Sequence, residues 1–325
     1  MRDAERPRVG ISACLLGRTV RFDGGHKRDA YLADTLGRWV EWVPVCPEVE
    51  LGLGTPRETM RLEGSAAAPR LVAPQSGADH TEPMLRFARA RVADLARLGL
   101  VGFVLKEGSP SCGMERVRVF GEKAIPERSG TGLFARVLME HLPILPIEEE
   151  GRLHDPALRE SFIERLFAYA RWRRFLAGRP TRATLVAFHT AHELSLRAHD
   201  PAAYQRLGRL VARAKARPLA AVLTHYGEAF MRALGVRATV GSHARVLEDV
   251  LRCFSARLSP GERREMLGLI REYRRGLVPL AAPLTRVRHH VRRLGVESLQ
   301  GQEYLDPDPR ELVLRHDQLL EESGR

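Results

Sequence analysis

Three cysteines are the residues of this chain best suited to chemistry. Cys14, Cys46 and Cys112 each lie at or just past the C-terminal end of an apolar, strand-like segment, within three residues of a Gly or Pro. Because the carboxyl ends of parallel strands lie along one edge of a sheet, residues far apart in sequence can converge there on one pocket. Converging thiolates suit a 4Fe-4S cluster that leaves one iron without a protein ligand. Buried structural thiols and a nucleophilic cysteine are the alternatives, since the spacing does not match the C-x2-C-x2-C run of ferredoxins.

Alternating strands and helices are predicted to position these cysteines. The strand-like segments are RVGISACLLG, WVEWVPVCPE, LVGFVLKEG and HLPILPIEE, each bounded by Gly or Pro. Helices are predicted between them at 29–38, 81–98 and 131–141. Strands that alternate with helices predict an open α/β domain with a parallel sheet, which we place at residues 1–150.

The strand pattern ends at an acidic break, Glu148-Glu149-Glu150-Gly151. After it, Arg-bearing segments carry Leu, Val and Phe at spacings of three and four, which is typical of helices in a compact all-α domain. These helices are predicted at 156–176, 181–198, 201–214, 218–234, 239–257, 260–275 and 283–294. We therefore expect a second, all-α helical domain over residues 151–325.

The formal net charge of +12 belongs entirely to the second half. Residues 1–155 hold 22 basic and 22 acidic residues, whereas residues 156–325 hold 30 and 18, and all but Lys215 of those 30 are Arg. Arg binds phosphate through two parallel hydrogen bonds and stacks on bases, so this domain is expected to bind nucleic acid. The alternative is a set of solvated helix faces in a GC-rich genome, although genome bias does not explain the difference between the halves.

The composition argues against a membrane-spanning or secreted chain. No apolar run reaches eighteen residues, and the N-terminal MRDAERPRVG is polar. We expect a cytoplasmic protein without membrane contact, whose four cysteines stay reduced. Cys253 is predicted in the middle of a helix beside Phe254, a setting typical of a small buried hydrophobe, and is not assigned to the cluster.

Four local motifs surround the three cysteines of the first half. They are Ser12-Ala13-Cys14-Leu15-Leu16-Gly17, Arg21-Phe22-Asp23-Gly24-Gly25, Val45-Cys46-Pro47-Glu48 with Gly52-Leu53-Gly54-Thr55-Pro56-Arg57 following, and Lys106-Glu107-Gly108-Ser109-Pro110-Ser111-Cys112-Gly113. In this order they resemble the thiouracil desulfidase (TudS) family over residues 8–150. The resemblance implies a 4Fe-4S cluster held by Cys14, Cys46 and Cys112, and catalytic roles for Glu48 and Ser109. The implied activity is non-redox removal of sulfur from a thiolated uracil, with water as the oxygen source and hydrosulfide as a product.

These residue types fit that chemistry. A thiocarbonyl sulfur is a soft donor for an open iron, whose Lewis acidity would withdraw electrons from the C–S bond. Glu48 is the candidate general base for the water that adds at carbon, and Ser109 either positions that water or relays a proton. Alternatively, Glu48 is an ordinary surface carboxylate, Ser109 caps a turn, and Asp23-Gly24-Gly25 is only a tight turn. Arg57 and Lys106 either contact a nucleotide or are exposed charges.

Further motifs lie in the helical half. They are Phe188-His189-Thr190-Ala191-His192-Glu193, Ser242-His243-Ala244-Arg245-Val246-Leu247, Tyr273-Arg274-Arg275-Gly276, His289-His290 and Gln302-Glu303-Tyr304-Leu305-Asp306-Pro307. They resemble the YbgA-type domain over residues 181–310. The fused arrangement resembles bacterial tRNA 4-thiouridine desulfidases, which implies a tRNA substrate bound through the Arg-rich domain. The histidines are read as hydrogen-bonded core or surface residues, as base-stacking residues or, less readily, as metal ligands.

Two other functions fit the same sequence. One is a desulfidase of free thiouracil whose helical domain serves assembly. The other is an iron–sulfur regulator that binds nucleic acid and catalyses nothing. Measuring tRNA binding at rising salt concentration distinguishes the first alternative from a tRNA desulfidase. If the protein neutralises phosphate charges, its affinity for tRNA falls steeply with salt.

Overall fold

A computed structural model describes residues 6–121 and 125–315 of the chain. The chain divides into two compact units, Met1–Ala170 and Arg171–Arg325. The division falls inside the helix Pro156–Ala177, whereas the sequence pattern changes at about residue 150. No helix among the described residues is long and apolar enough to cross a membrane.

The described part of the first unit contains two four-stranded sheets. In chain order its strands are β1 (Arg8–Ser12), β2 (Glu41–Val45), β3 (Arg61–Gly64), β4 (Pro69–Val72), β5 (Gly102–Leu105), β6 (Val117–Phe120), β7 (Glu127–Gly130) and β8 (Ile147–Glu149). One sheet has the order β2-β1-β5-β8 with every pairing parallel. This confirms the predicted α/β class. The second sheet, β4-β3-β6-β7, combines a parallel pair with two antiparallel pairs and was not predicted.

Burial on both faces explains why the parallel strands were readable from sequence. Val9, Ile11 and Phe103 are fully buried, which gives the continuous apolar runs typical of covered parallel strands. Gly10 pairs with Phe103 in the β1–β5 register, and a Cβ atom on Gly10 would lie 2.1 Å from that ring. The close approach of the aromatic ring therefore requires glycine at this position of β1.

Within residues 6–121 and 125–170, four α-helices accompany these strands. They are α1 (Pro47–Glu50), α2 (Thr81–Arg97), α3 (Leu133–His141) and α4 (Pro156–Ala177), the last of which continues into the second unit. The helix predicted at 29–38 is a π-helical turn at Tyr31–Thr35 followed by a 3-10 turn at Leu36–Arg38. The segment is helical in outline but irregular in its hydrogen bonding.

Among its described residues, the regular elements of the second unit are all helical, which confirms the predicted all-α class. After α4 they are α5 (Arg182–Ala191), α6 (Glu193–His199), α7 (Pro201–Ala212), α8 (Leu219–Leu234), α9 (Val240–Phe254), α10 (Pro260–Arg274), α11 (Ala281–Leu294) and α12 (Pro309–Arg315). Capping boxes at Thr181, Thr239 and Ser259 begin α5, α9 and α10. The helix predicted at 181–198 is two helices, separated at His192.

The histidines of the second unit lie mainly in its core. Buried ones are His189, His192, His199, His243 and His290. The Nδ1 atom of His189 lies 3.1 Å from the Tyr226 hydroxyl, and that of His243 lies 2.8 Å from the Tyr304 hydroxyl. Burial lowers the pKa of His189, which favours the neutral ring. These contacts support the interpretation of His189 and His243 as hydrogen-bonded core residues.

Cys253 corrects one prediction. Its thiol is exposed on α9 and lies 3.4 Å from the backbone carbonyl of Asp249, one turn earlier. The neighbouring Leu251 and Phe254 are buried. The apolar neighbours in the sequence suggested burial, but Cys253 falls on the opposite face of the helix.

Candidate active site

A cavity of about 360 Å³ lies where β1, β2 and β5 reach the carboxyl edge of the parallel sheet. Ser12 pairs with Val45 at the ends of β1 and β2, so the segments that follow both strands begin side by side. The structure brings all five predicted site residues together along this cavity, namely Cys14, Cys46, Glu48, Ser109 and Cys112. The sheet edge thus assembles one site from three distant segments.

Backbone hydrogen bonds fix the first two cysteines. Cys14 lies in a 3-10 turn directly after β1, and its carbonyl accepts hydrogen bonds from the N–H groups of Gly17 and Lys27 at 3.2 and 3.0 Å. Cys46 immediately precedes α1, and its N–H donates to the carboxylate of Glu50 at 3.0 Å. Both thiols are therefore held on short turns rather than on long loops.

The third cysteine lies in a tight turn built by Ser109. The Ser109 hydroxyl oxygen accepts hydrogen bonds from the N–H groups of Ser111 and Cys112 at 3.3 and 3.1 Å, and its carbonyl accepts one from Gly113 at 2.8 Å. A Cβ atom on Gly132 would lie 2.4 Å from the Ser111 carbonyl oxygen. Ser109 thus does cap a turn, as the alternative interpretation has it, and it also lines the cavity.

Burial raises the pKa of all three thiols, which disfavours their ionised form. Burial, followed by the nearby Cys46, raises the pKa of Cys14 to about 11, while Lys106 and Arg21 act in the opposite direction. Burial also raises the pKa of Cys46, and more strongly that of Cys112. Because metals bind thiolates, loading this site would release protons.

The donor set fits a cluster better than a single ion. No group of three or more His, Cys, Asp or Glu side chains among the described residues is arranged around a single-ion position. In a 4Fe-4S cluster each cysteine binds a different iron, so the sulfurs need not point at one centre. Cys14, Cys46 and Cys112 all line the same cavity. These residues could hold such a cluster with three thiolates.

Glu48 is held from both sides and is not an ordinary surface carboxylate. One oxygen forms an ion pair with Arg57, and the other accepts a hydrogen bond from the Ser111 hydroxyl at 2.7 Å. The side chains of Glu48 and Arg57 are only 14% and 7% exposed. Arg57 also donates to the carbonyls of Val20 and Gly54 at 3.0 and 2.9 Å. A rigid arginine thus orients the carboxylate within the cavity wall.

Ser111 is the site residue that the sequence did not single out. Its side chain is buried, and its hydroxyl oxygen lies 3.1 Å from that of Ser109 and 2.7 Å from Glu48. It therefore connects the two predicted catalytic residues. The only sequence signal was its place in the Ser-Pro-Ser-Cys motif, which does not reveal the direction of its side chain.

Lys106 is likewise not an exposed charge. The ammonium group of Lys106 pairs with Glu150, and the backbone N–H of Lys106 donates to the Ser12 hydroxyl at 2.9 Å. Glu150 and its neighbours Glu148 and Glu149 are buried, and the latter two belong to β8. The acidic run is therefore folded into the first unit rather than forming a break, because each carboxylate has a partner within that unit.

The second motif forms the rim of the cavity. Asp23 accepts a hydrogen bond from the N–H of Gly25 at 3.0 Å, so Asp23-Gly24-Gly25 is a tight turn. This N–H and the Arg21 guanidinium lower the pKa of Asp23. Phe22 lines the cavity but is 38% exposed, with the Arg21 guanidinium 5.2 Å from the centre of its ring. The rim thus offers an aromatic surface beside a cation.

Comparison with known proteins assigns families to both parts of the chain. Residues 9–150 match the family described as 2-thiouracil desulfurase, and residues 194–309 match the family described as "Protein of unknown function (DUF1722)". The Escherichia coli (strain K12) protein YbgA, described as uncharacterized, is 32% identical over 162 residues, which are 50% of this chain and 96% of YbgA.

Two further relatives resemble a smaller part of the chain. The Bacillus subtilis (strain 168) protein YbbK, described as uncharacterized, is 29% identical over 137 residues, covering 40% of this chain and 88% of YbbK. A solved structure described as 4Fe-4S-dependent thiouracil desulfidase TudS is 32% identical and covers 46% of this chain and 95% of its own, with a TM-score of 0.40.

A parallel sheet edge that gathers three thiols and a paired carboxylate, followed by a helical unit, defines a two-part protein with a thiol-lined site in its first part. The chain belongs to the 2-thiouracil desulfurase family through its first part and to the YbgA-type family through its second. The resemblance predicted from the motifs is thereby confirmed.

Proposed function

We propose that this chain is a 4Fe-4S-dependent desulfidase that converts a thiolated uridine in tRNA, foremost 4-thiouridine, to uridine and releases hydrosulfide. The observation that carries the proposal is that three cysteines and Glu48 line one cavity of a 2-thiouracil desulfurase domain, with Glu48 bound by both Arg57 and Ser111. Cys14, Cys46 and Cys112 would hold the cluster. When bound, the cluster supplies a Lewis acid for the substrate sulfur. A cytoplasmic site of action, where thiols stay reduced, is part of the proposal.

Glu48 acts as the general base. Arg57 and Ser111 each occupy one lone pair of its carboxylate, which leaves further lone pairs to accept a proton from water. Because both partners are buried, the carboxylate keeps one orientation while water is positioned. Positioned general bases contribute about 10²–10⁴-fold to a rate.

Ser109 acts as a donor. Its hydroxyl oxygen already accepts two backbone hydrogen bonds, so its own O–H remains to donate. In this structure the nearest acceptor is the Ser111 hydroxyl, which in turn donates to Glu48. A substrate in the cavity replaces that acceptor with a ring atom, and Ser109 then steadies the polar edge of the base.

The cavity accommodates a pyrimidine base, and the charge of the second domain favours a base carried by RNA. Val20, Phe22 and Met60 provide an apolar lining for a flat ring. The net positive charge of residues 156–325 supports a polyanionic substrate, because phosphate contacts dominate the affinity of proteins for nucleic acids.

Replacing Ser111 by alanine should lower kcat about 10- to 100-fold with little change in KM. The hydrogen bond to a charged carboxylate contributes about 1.5–3 kcal/mol, and without it Glu48 loses one of its two anchors. Initial rates with thiolated tRNA and iron content measure the effect. Ser65→Ala, at an exposed serine of the same unit, should leave both unchanged. A normal kcat in the Ser111 variant would show that Glu48 does not need this anchor.

Reconstitution tests the proposed activity itself. The full chain is loaded anaerobically with iron and sulfide, incubated with thiolated tRNA, and the tRNA is digested for nucleoside analysis. Loss of 4-thiouridine with an equal gain of uridine is expected. Conversion of free 4-thiouracil without change in the tRNA would instead assign the free base as substrate. An unchanged nucleoside profile and no reaction of the free base, with iron bound, would contradict the proposal.

A further inference from the structure

The helical hairpin of α10 and α11 carries most of the excess positive charge of the second half. Residues 255–295 contain ten Arg and three Glu, a net charge of +7 out of the +12 carried by residues 156–325. The other 129 residues of that half share the remaining +5. Charge concentrated on one pair of packed helices, rather than spread evenly, is characteristic of a surface that binds phosphates.

One face of α11 forms a groove within this hairpin. Thr285, Arg288, His289 and Arg292 follow one another at spacings of three, one and three residues, which places them on the same side of the helix. Together with Arg293 they line an open groove of about 500 Å³. All five side chains are able to donate hydrogen bonds, so the groove offers donors to an anion.

Among the described residues, the arginines of the groove pair with two carboxylates, and Arg293 pairs with Glu262 at 2.6 Å. Arg288 and Arg292 share a single carboxylate, that of Asp306, at 3.8 and 2.8 Å. Asp306 is 56% exposed, and exposed ion pairs contribute only about 0–1 kcal/mol. A phosphate, which accepts two parallel hydrogen bonds from one guanidinium, can therefore replace this carboxylate at little cost.

We propose that the α11 groove, defined by Thr285, Arg288, His289 and Arg292, binds the phosphodiester backbone of the RNA that carries the thiolated base. The inference rests on the proposed function for the identity of the RNA. Arg288 and Arg292 stand one helical turn apart, about 6 Å along the axis, so they present two guanidinium groups side by side to the strand. Contacts of this kind position a nucleic acid without reading its sequence, which leaves the base free to be recognised elsewhere.

Binding of labelled thiolated tRNA, followed by fluorescence anisotropy at several salt concentrations and without turnover, tests the groove. Arg288→Gln with Arg292→Gln should raise Kd about tenfold or more and reduce the salt slope by about 1–2. Arg213→Gln with Arg217→Gln, at exposed arginines outside the hairpin, is the matched control and should change Kd less than twofold. The iron content after reconstitution should be normal in both variants.

Asp306→Asn provides a test of opposite sign. Asn keeps the shape of the side chain but removes the charge that competes with phosphate, so the Kd for tRNA should fall. A fall in Kd cannot come from a folding defect, because misfolding would weaken binding. An unchanged or higher Kd in the Asp306→Asn variant, or an unchanged Kd in the Arg288/Arg292 variant, would overturn the inference.

Competition separates the RNA backbone from free phosphate as the ligand. Unlabelled tRNA should displace the labelled tRNA at far lower phosphate-group concentration than inorganic phosphate does. Equal displacement by inorganic phosphate would overturn the assignment to RNA. These binding measurements need no catalysis. Failure of the desulfidase proposal would therefore appear in the nucleoside analysis, and failure of the groove proposal would appear in the Kd.

Discussion

Replacing Cys112 by alanine should remove bound iron and reduce desulfidation by at least about 100-fold, because loss of outer-shell contacts alone costs metal sites about 10–100-fold. Cys112 is buried, and its turn is fixed by three hydrogen bonds to Ser109, so neither water nor a neighbouring side chain readily takes its place. Iron content and the visible absorption of the reconstituted chain measure cluster loading, and nucleoside analysis measures activity.

Cys253→Ser is the matched control for this experiment. Cys253 is an exposed thiol on α9 of the second unit and should not affect iron binding or turnover. Full iron content in the Cys112→Ala variant would show that this cysteine is not a cluster ligand. Loss of iron from the Cys253 variant would show that the ligand set is wrong in another way.

Replacing Glu48 by glutamine should lower kcat about 10²–10⁴-fold while iron content and the affinity for tRNA stay normal. Glutamine has nearly the same shape as glutamate and can still accept the hydrogen bond from Ser111, but it cannot take a proton from water. Glu48 does not line the groove on α11, so binding of RNA should not depend on it.

The control for Glu48→Gln is Glu41→Gln, another ion-paired glutamate of the first unit. Glu41 pairs with Arg8 at 3.0 Å and is 49% exposed, far from full burial. This variant should keep its full rate. Unchanged activity in Glu48→Gln would remove the proposed general base, and a wild-type chain that binds iron and RNA but never turns over would favour the regulator.

The parallel sheet could be predicted because each of its strands has a local sequence signal. Runs such as Val9–Ile11 and Gly102–Leu105 are apolar on both faces, and each is ended by a residue that breaks the pattern. The second sheet could not be predicted, because not all of its strands carry this apolar signal. Its strand β7 (Glu127–Gly130) contains no large apolar side chain, so the pairing of β7 with β6 is set by the rest of the unit.

The acidic run shows that a local pattern can give the wrong burial. Three consecutive glutamates are typical of a solvated segment, yet Glu148, Glu149 and Glu150 are buried. Arg152, four residues from Glu148, is a local partner, whereas Lys106 and the backbone N–H of Met114 are distant in sequence. Burial of a charged or polar side chain depends on partners that a sequence pattern does not display.

The sequence by itself determined which reactive side chains are available and that they lie at the carboxyl edge of the parallel sheet. Cys14 and Cys46 follow strands of a parallel sheet directly, and parallel strands have only one carboxyl edge, so convergence followed from fold class alone. Only the tertiary structure decided how that chemistry is oriented. Ser111 connects Ser109 to Glu48, and Arg57 buries its charge against the same carboxylate, through side-chain directions set by packing between segments that no local pattern links.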